Sequence, residues 1–225
     1  MVVVSDTLST GDVLLFYNAQ ALISRTIAYF DGTDCSHVAI VVKNPPWGGL
    51  PRGLYLLESG YEDFDDVECH VERYGVRLSM LDDVLRAYGS HDIHVRRLVQ
   101  HPRWTDAALC AAHDLVHGKP YDMDPADWFA FVNHETPHPP TDDRYVCSAM
   151  VTRVLIKLAV VAPDCNWTFV TPAEYGQRLA ELPLAPGARF GPIEGPVIPR
   201  PQGEPEGLGD WVWRWWHNIT LGCHS

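Results

Sequence analysis

Cys147 has the residue type and the setting that nucleophilic catalysis requires. A cysteine attacks a carbonyl carbon as its thiolate, and an ordinary thiol pKa of about 8.5 leaves only a few per cent ionised at neutral pH. The positive end of a helix dipole and a neighbouring imidazolium both favour the thiolate. Cys147 begins a segment, residues 147–161, in which apolar side chains recur at helical spacing. The sequence therefore predicts Cys147 at a helix N-terminus.

His37 is the best candidate for the base among the eleven histidines. It begins the run HVAIVV, residues 37–42, which is apolar, β-branched and of strand length. A histidine base needs a partner on its second ring nitrogen to fix its tautomer. Glu58 ends the next predicted strand, residues 54–58, and is the candidate partner. On residue type alone, a buried cysteine, a structural histidine and a strand-end carboxylate are the commoner assignments, and spacing does not show that the three meet.

Several further elements must position these side chains. The turn Gly11-Asp12 precedes a predicted strand at 13–17, and residues 93–98 alternate as a strand does. The connection between the runs at 37–42 and 54–58 is too short for a helical crossover, which favours antiparallel pairing. Residues 20–30 have helical spacing.

Three more helices are predicted from their end signals. Ser79 and Asp82 resemble a capping box for a helix that stops at Gly89. A helix is predicted from Thr105 to His117, with Gly118 in the position after its end. The run Thr171-Pro172-Ala173-Glu174 has the cap, the first-turn proline and the acidic residue of a helix start.

Composition limits the class of protein. Of 225 residues, 46% are hydrophobic and 20% are charged, as in soluble globular proteins, and no apolar stretch reaches membrane-spanning length. The net charge of −12 argues against nucleic acid as a partner. The N-terminus lacks the features of a secretory signal, and the six cysteines include no C-x-x-C pair. We expect reduced thiols and a cytoplasmic protein, or one in a particle assembled in the cytoplasm.

Other cysteines and histidines have plainer interpretations. Cys110, His113 and His117 share a polar face of the 105–117 helix, near Asp106 and Asp114, and such ligands at helical spacing suit zinc. A solvated surface is the commoner outcome for such a face, so we expect no metal and no cofactor. Cys35 lacks a following helix and is predicted to pack in the core. His134 and His138, in the long segment 119–146, are predicted surface loop residues or lining of a substrate mouth.

The C-terminal region differs in composition from the rest. Residues 183–209 are rich in proline and glycine and are predicted to be irregular, which gives a domain at 1–182 and an arm at 183–225. The arm ends in Trp211-Val212-Trp213-Arg214-Trp215-Trp216. These rings suit packing onto the domain, a dimer contact or a membrane interface, and packing is favoured because basic neighbours are few. The oligomeric state stays open.

Five stretches in a particular order carry a resemblance to a known family. The chain is similar, over residues 9–180, to the circularly permuted papain-like cysteine hydrolases of the NlpC superfamily, in the YiiX/YaeF-like group. The matching stretches are Gly11-Asp12 with its strand, Ser36-His37-Val38-Ala39-Ile40-Val41, Leu57-Glu58, Gly118-Lys119-Pro120-Tyr121-Asp122 and Tyr145-Val146-Cys147-Ser148. The resemblance implies an α+β fold with an antiparallel, barrel-like sheet packed against helices.

The same resemblance implies residue roles. His37 matches the base, Glu58 the polar residue that orients it and Cys147 the nucleophile, while Tyr121, Tyr145 and Ser148 match positions near the substrate. The chain departs from the family in having Ala149 where an acidic residue usually follows Cys-Ser.

Three functions follow from the resemblance. The first is a cysteine amidase or peptidase that acts, through a thioester acyl-enzyme, on an amide of a small peptide, an amino acid conjugate or a cell-wall fragment. The second is a lipid acyltransferase or esterase of the lecithin:retinol acyltransferase type, with the tryptophan-rich tail giving membrane access. The third is a catalytically idle binding or virion-associated module.

Overall fold

A single antiparallel sheet forms the centre of the structure, a computed structural model that describes residues 2–17, 34–60, 64–89, 92–124 and 141–199. Its six strands run in the order β7-β4-β3-β2-β8-β9. They are β2 (Val13–Tyr17), β3 (Cys35–Lys43), β4 (Leu54–Gly60), β7 (Gly75–Met80), β8 (Ile93–Gln100) and β9 (Arg189–Glu194). Two smaller sheets have two short strands each. In one, β1 (Val3–Val4) pairs with β10 (Val197–Ile198), and in the other β5 (Asp65–Asp66) pairs with β6 (Val71–Glu72).

Each face of the sheet packs against its own helices. Helices α2 (Asp106–Val116) and α3 (Cys147–Lys157) cover one face, where Val38 and Ile40 lie in the same apolar cluster as Val151 and Val154. Helix α1 (Leu81–Tyr88) contributes to the cluster on the other face, with β-strand residues such as Leu14. The central strand β3 is buried on both faces, which is why it reads as a continuous apolar run. The α+β class, with an antiparallel sheet against helices, is confirmed.

Of the helix starts predicted at Ser79, Thr105 and Thr171, the last two are confirmed and the first is wrong. The Thr105 hydroxyl accepts the N–H of Ala108 at the start of α2, and the Thr171 capping box is complete at the start of α4 (Pro172–Tyr175). The capping box at Ser79 does not form. Ser79 belongs to β7 and its hydroxyl donates to the carbonyl of Asp65, because the strand runs directly into α1.

Two strands lie beyond the predicted domain boundary at residue 183. Strand β9 pairs with β8 at the edge of the main sheet, and β10 pairs with β1. Strand pairing with distant residues gives regular structure to a segment whose local composition is rich in proline and glycine. The predicted helix at 20–30, the loop histidines His134 and His138 and the tail 211–216 lie outside the described residues. No helix in the described part of the chain is both long and apolar enough to cross a bilayer.

Gly75, the first residue of β7, lies against the backbone of residues 119–121. Its φ is +130°, and a Cβ atom there would lie 2.3 Å from the carbonyl oxygen of Lys119 and 2.7 Å from the backbone nitrogen of Tyr121. Both neighbours are backbone atoms, so the strand and the 118–121 segment would have to separate.

We expect Gly75→Ala to lower the free energy of unfolding by about 2–4 kcal/mol, because it adds backbone strain and a steric clash. Urea denaturation followed by circular dichroism measures this. Gly53→Ala is the matched control, since its Cβ would meet only ordinary contacts at 3.7 Å or more. Equal effects of the two substitutions would contradict the proposed close approach.

Candidate active site

His37 lies where β3 changes its register against β2. Cys35 pairs with Tyr17 while His37 pairs with Phe16, so Ser36 is an extra residue and the strand bulges just before the histidine. Bulges of this kind redirect the neighbouring side chains. The His37 ring is 5% exposed and meets the edge of Phe16 at 4.9 Å between ring centroids. A rigid, buried strand therefore fixes the imidazole.

Glu58 and Arg77 form a buried ion pair across two neighbouring strands. They are direct partners in the β4–β7 register, and the Arg77 Nη2 atom donates to Glu58 Oε1 at 3.1 Å. Both side chains have no exposed surface. A second guanidinium nitrogen, Nη1, donates to the carbonyl oxygen of Arg73 at 2.9 Å. The pair is therefore a desolvated charge contact rather than a surface salt bridge.

The free oxygen of Glu58 reaches His37. Ile40 pairs with Leu57, so alternation along β3 and β4 places His37 and Glu58 on the same face of the sheet. Glu58 Oε2 lies 2.9 Å from His37 Nε2. The orienting contact predicted from the resemblance is therefore present in the structure.

Charges around these two groups move both pKa values toward the ionised forms. Burial alone lowers the pKa of His37, but contacts with Cys147 and Glu58 outweigh it and hold the pKa well above 6.5. Burial alone raises the pKa of Glu58, but Arg77 and His37 outweigh it and hold the pKa below 4.5. An imidazolium and a carboxylate are the favoured states.

Cys147 is the first residue of α3. The residue is 1% exposed, and its thiol lies close enough to the His37 ring to raise the pKa of the imidazole. Because Nε2 is engaged by Glu58, Nδ1 is the ring nitrogen that remains for the sulfur. Val146 precedes the helix without a side-chain cap, and the first turn contains no acidic residue. The dipole and the first-turn N–H groups of α3 are thus left to act on a negative charge at the sulfur or beside it.

Hydrogen bonds among polar side chains fix the position of the backbone that leads into α3. The Tyr145 hydroxyl donates to Asp142 Oδ1 at 2.6 Å, and Arg153 contacts both oxygens of Asp142 at 2.7 and 2.8 Å. The Ser59 hydroxyl, next to Glu58, donates to the carbonyl oxygen of Tyr145 at 2.7 Å. Strand β4 therefore holds both the orienting carboxylate and the approach to the nucleophile.

Of the three residues assigned to substrate binding, Tyr145 and Ser148 lie within two residues of Cys147 along the chain, and Tyr121 pairs with Tyr145. Tyr121 and Tyr145 are neighbours in a parallel β-bridge, and both are largely buried. Ser148 is buried in the first turn of α3, where its carbonyl oxygen accepts the Thr152 hydroxyl at 2.7 Å. The Tyr145 hydroxyl is engaged by Asp142, as described above. Their roles toward a substrate stay predictions.

Sequence reasoning missed Arg77 and the Asp142–Arg153 pair. An arginine inside the strand GVRLSM, where the other side chains are apolar or small, is the local signal that a buried charge needs a partner. That partner lies 19 residues away and is visible only once the strand register is known. Cys35 is buried, as predicted, and its thiol lies 3.7 Å from the carbonyl oxygen of His37.

A second polar cluster lies at the C-terminal end of α2. The ligand atoms of Glu68, His113 and His117 all lie within 4.8 Å of one another. The solvated face predicted for this helix is wrong at His113, which is 6% exposed because residues 65–72 fold over it. Burial lowers the pKa of His117, but hydrogen bonds to Asp66 and Glu68 outweigh it and raise the pKa to about 9. Burial raises the pKa of Glu68, but hydrogen bonds with His113 and His117 outweigh it and lower the pKa to about 2.

No protein-family model matches the chain, and no curated protein matches it. Among the solved structures with which the chain aligns is a crystal structure described as metalloprotein yiiX from Escherichia coli O157:H7, with 19% sequence identity and a TM-score of 0.47. The alignment covers 83% of this chain and 98% of that one.

The pKa shifts of Glu58 and His37 predict how the free energy of unfolding depends on pH. The lowered pKa of Glu58 contributes stability that is present above the ordinary carboxyl pKa of 4.5 and is lost as pH falls through the folded-state pKa. The raised pKa of His37 contributes stability that is present below 6.5 and is lost as pH rises through its folded-state pKa. Both contributions are therefore complete between pH 4.5 and 6.5.

We expect Glu58→Gln to lower the free energy of unfolding by about 3–5 kcal/mol in that window, because it leaves Arg77 buried without its counter-charge. The loss should shrink at more acidic and at more basic pH. Denaturant titrations at several pH values measure it, with the exposed Glu72→Gln as control. A loss that does not change with pH would contradict the assigned charge states.

Proposed function

We propose that the chain is a cysteine hydrolase that cleaves an amide through a thioester acyl-enzyme. The observation that carries this proposal is that one buried imidazole lies 2.9 Å from the Glu58 carboxylate and has its pKa raised by the nearby Cys147 thiol. A nucleophile at a helix start, a base in contact with it and a carboxylate on the base make up the arrangement used for nucleophilic catalysis. The permuted papain-like resemblance of the sequence supports the same assignment of roles.

The first half of the reaction forms the thioester. The proton of the Cys147 thiol lies on His37 in the resting ion pair, and the thiolate attacks the substrate carbonyl carbon. The carbonyl electrons move to oxygen, and first-turn N–H groups of α3, including that of Cys147, stabilise the resulting oxyanion. When the carbon–nitrogen bond breaks, His37 gives its proton to the leaving amine.

The second half returns the enzyme to its starting state. His37 accepts a proton from water, and the hydroxide attacks the thioester carbon. The second tetrahedral intermediate releases the carboxylic acid and the Cys147 thiolate, which is again paired with the His37 imidazolium. Glu58 stabilises the imidazolium in both halves, and Arg77 keeps Glu58 ionised.

The class of substrate rests on the resemblance. It favours an amide of a small peptide, an amino acid conjugate or a cell-wall fragment. Transfer to a lipid acceptor would use the same thioester, and the tail predicted to aid such transfer lies outside the described residues. Parallel incubation with peptide p-nitroanilides and with phospholipid vesicles, followed by intact mass, distinguishes the two.

Acylation of Cys147 is the direct test. We expect p-nitrophenyl acetate to add one acetyl group to the full chain, and Cys147→Ala to abolish this addition. His37→Ala should lower the rate by roughly 10²–10⁴-fold, the usual contribution of a general base. Cys110→Ala, which removes a half-buried thiol on α2, should label normally. Unchanged labelling of Cys147→Ala would remove the nucleophile assignment.

Alkylation separates an active site from an idle module. If His37 holds the thiolate, iodoacetamide should modify Cys147 readily at about pH 6, and His37→Ala should slow this by roughly 10–100-fold. Peptide mapping after limited alkylation gives the rate at each cysteine, and Cys110 in the same sample is the internal reference. A Cys147 rate that does not depend on His37 would favour the idle module.

A further inference from the structure

The second polar cluster joins the 65–72 hairpin to the end of α2. Strands β5 and β6 form this hairpin, and the Val67 N–H donates to the carbonyl oxygen of Leu78 in the edge strand β7 at 2.8 Å. On its other side, the N–H of Gly118 donates to the carbonyl oxygen of Val76 at 3.0 Å. The cluster thus lies where three separate segments meet, and none of its side chains belongs to the Cys147–His37–Glu58 set.

The imidazole nitrogens of the cluster converge on carboxylate oxygens. His113 Nε2 lies 2.7 Å from Glu68 Oε2, and His117 Nε2 lies 3.0 Å from the same oxygen. His117 Nε2 is also 2.8 Å from Oδ2 of Asp66, which has no exposed side-chain surface. His113 lies in the last turn of α2 and His117 directly follows the helix, and their rings stack at 4.4 Å between centroids.

The outer contacts of His113 orient its ring. Its Nδ1 lies 2.9 Å from Asp114 Oδ1, and Trp47 stacks on the ring at 4.3 Å between centroids. When Nδ1 carries the proton and donates it to Asp114, the lone pair of Nε2 points at Glu68. A carboxylate partner on the outer nitrogen is the usual support of a metal-binding histidine. The 2.7 Å contact between Nε2 and Glu68 Oε2 can then be bridged by a proton or by a metal ion.

We propose that Glu68, His113 and His117 bind a zinc ion. Two imidazoles and a carboxylate are ligands that zinc accepts in tetrahedral geometry. Zinc bonds of about 2.0–2.1 Å place tetrahedral ligand atoms roughly 3.3 Å apart, so the contacts of Glu68 with His113 and His117, at 2.7 and 3.0 Å, need to open by only a few tenths of an ångström. This proposal revises the expectation, from the sequence, that the chain has no metal.

Three protein ligands leave the fourth position of a tetrahedral zinc ion for water or another small ligand. The ion would join the hairpin, which provides Glu68, to the C-terminal end of α2, where the two histidines lie. Because only the folded chain brings the three ligands together, zinc would stabilise the folded state by mass action.

Zinc titration of the chelator-treated full chain tests the proposal. The experiment uses Cys147→Ser, so that the thiol and His37 do not form a competing soft site. We expect one zinc per chain by native mass spectrometry and calorimetry, with a higher melting temperature when zinc is added. His117→Ala and Glu68→Gln should each weaken binding by 10-fold or more and lose the thermal shift. Cys110→Ala, on the same helix, should bind as the parent does.

Cobalt substitution identifies the ligands without relying on activity. A tetrahedral nitrogen and oxygen site gives intense visible bands without a thiolate charge-transfer band. Circular dichroism of each variant confirms that it is folded. The proposal is overturned if no stoichiometric zinc binds, if uptake is unchanged in both folded variants, or if the cobalt spectrum shows a thiolate ligand.

Discussion

The rest of the site depends on the contacts that the buried carboxylate of Glu58 makes. A desolvated negative charge is tolerated only with close, well-directed partners, and here one oxygen receives Arg77 while the other meets His37. Arg77 is placed by direct pairing of β4 with β7, and His37 by the bulge in β3. The register of three strands therefore decides whether the imidazole is charged and where it points.

Helix α3 brings the second half of the site to the sheet. Its first residue supplies the sulfur, and its apolar face packs on the same cluster as β3 and β4. The Ser59 contact with the Tyr145 backbone and the Asp142–Arg153 pair fix the chain just before the helix. The nucleophile and its base thus belong to rigid elements that share one core, which is the arrangement that gives a site its precision.

Local patterns predicted the parts of the site, and long-range pairing supplied what they missed. Helical spacing after Cys147 and the apolar run after His37 are local signals, so both positions follow from the sequence. The partnership of Glu58 with Arg77, the strand at 189–194 and the burial of His113 all arise from pairing with distant segments. At Ser79 the local sequence favours a helix cap, but strand pairing takes this residue into the sheet instead. The resemblance supplied the roles that spacing alone left open.

The order of the site residues along the chain has a consequence for biosynthesis. His37 and Glu58 leave the ribosome long before Cys147, and the thiol reaches the imidazole only after α3 has docked on β3 and β4. The edge strand β9 is made later still. In a nascent chain the Cys147 thiol therefore lacks its imidazole partner. A reactive thiolate forms only when nearly all of the domain has been translated.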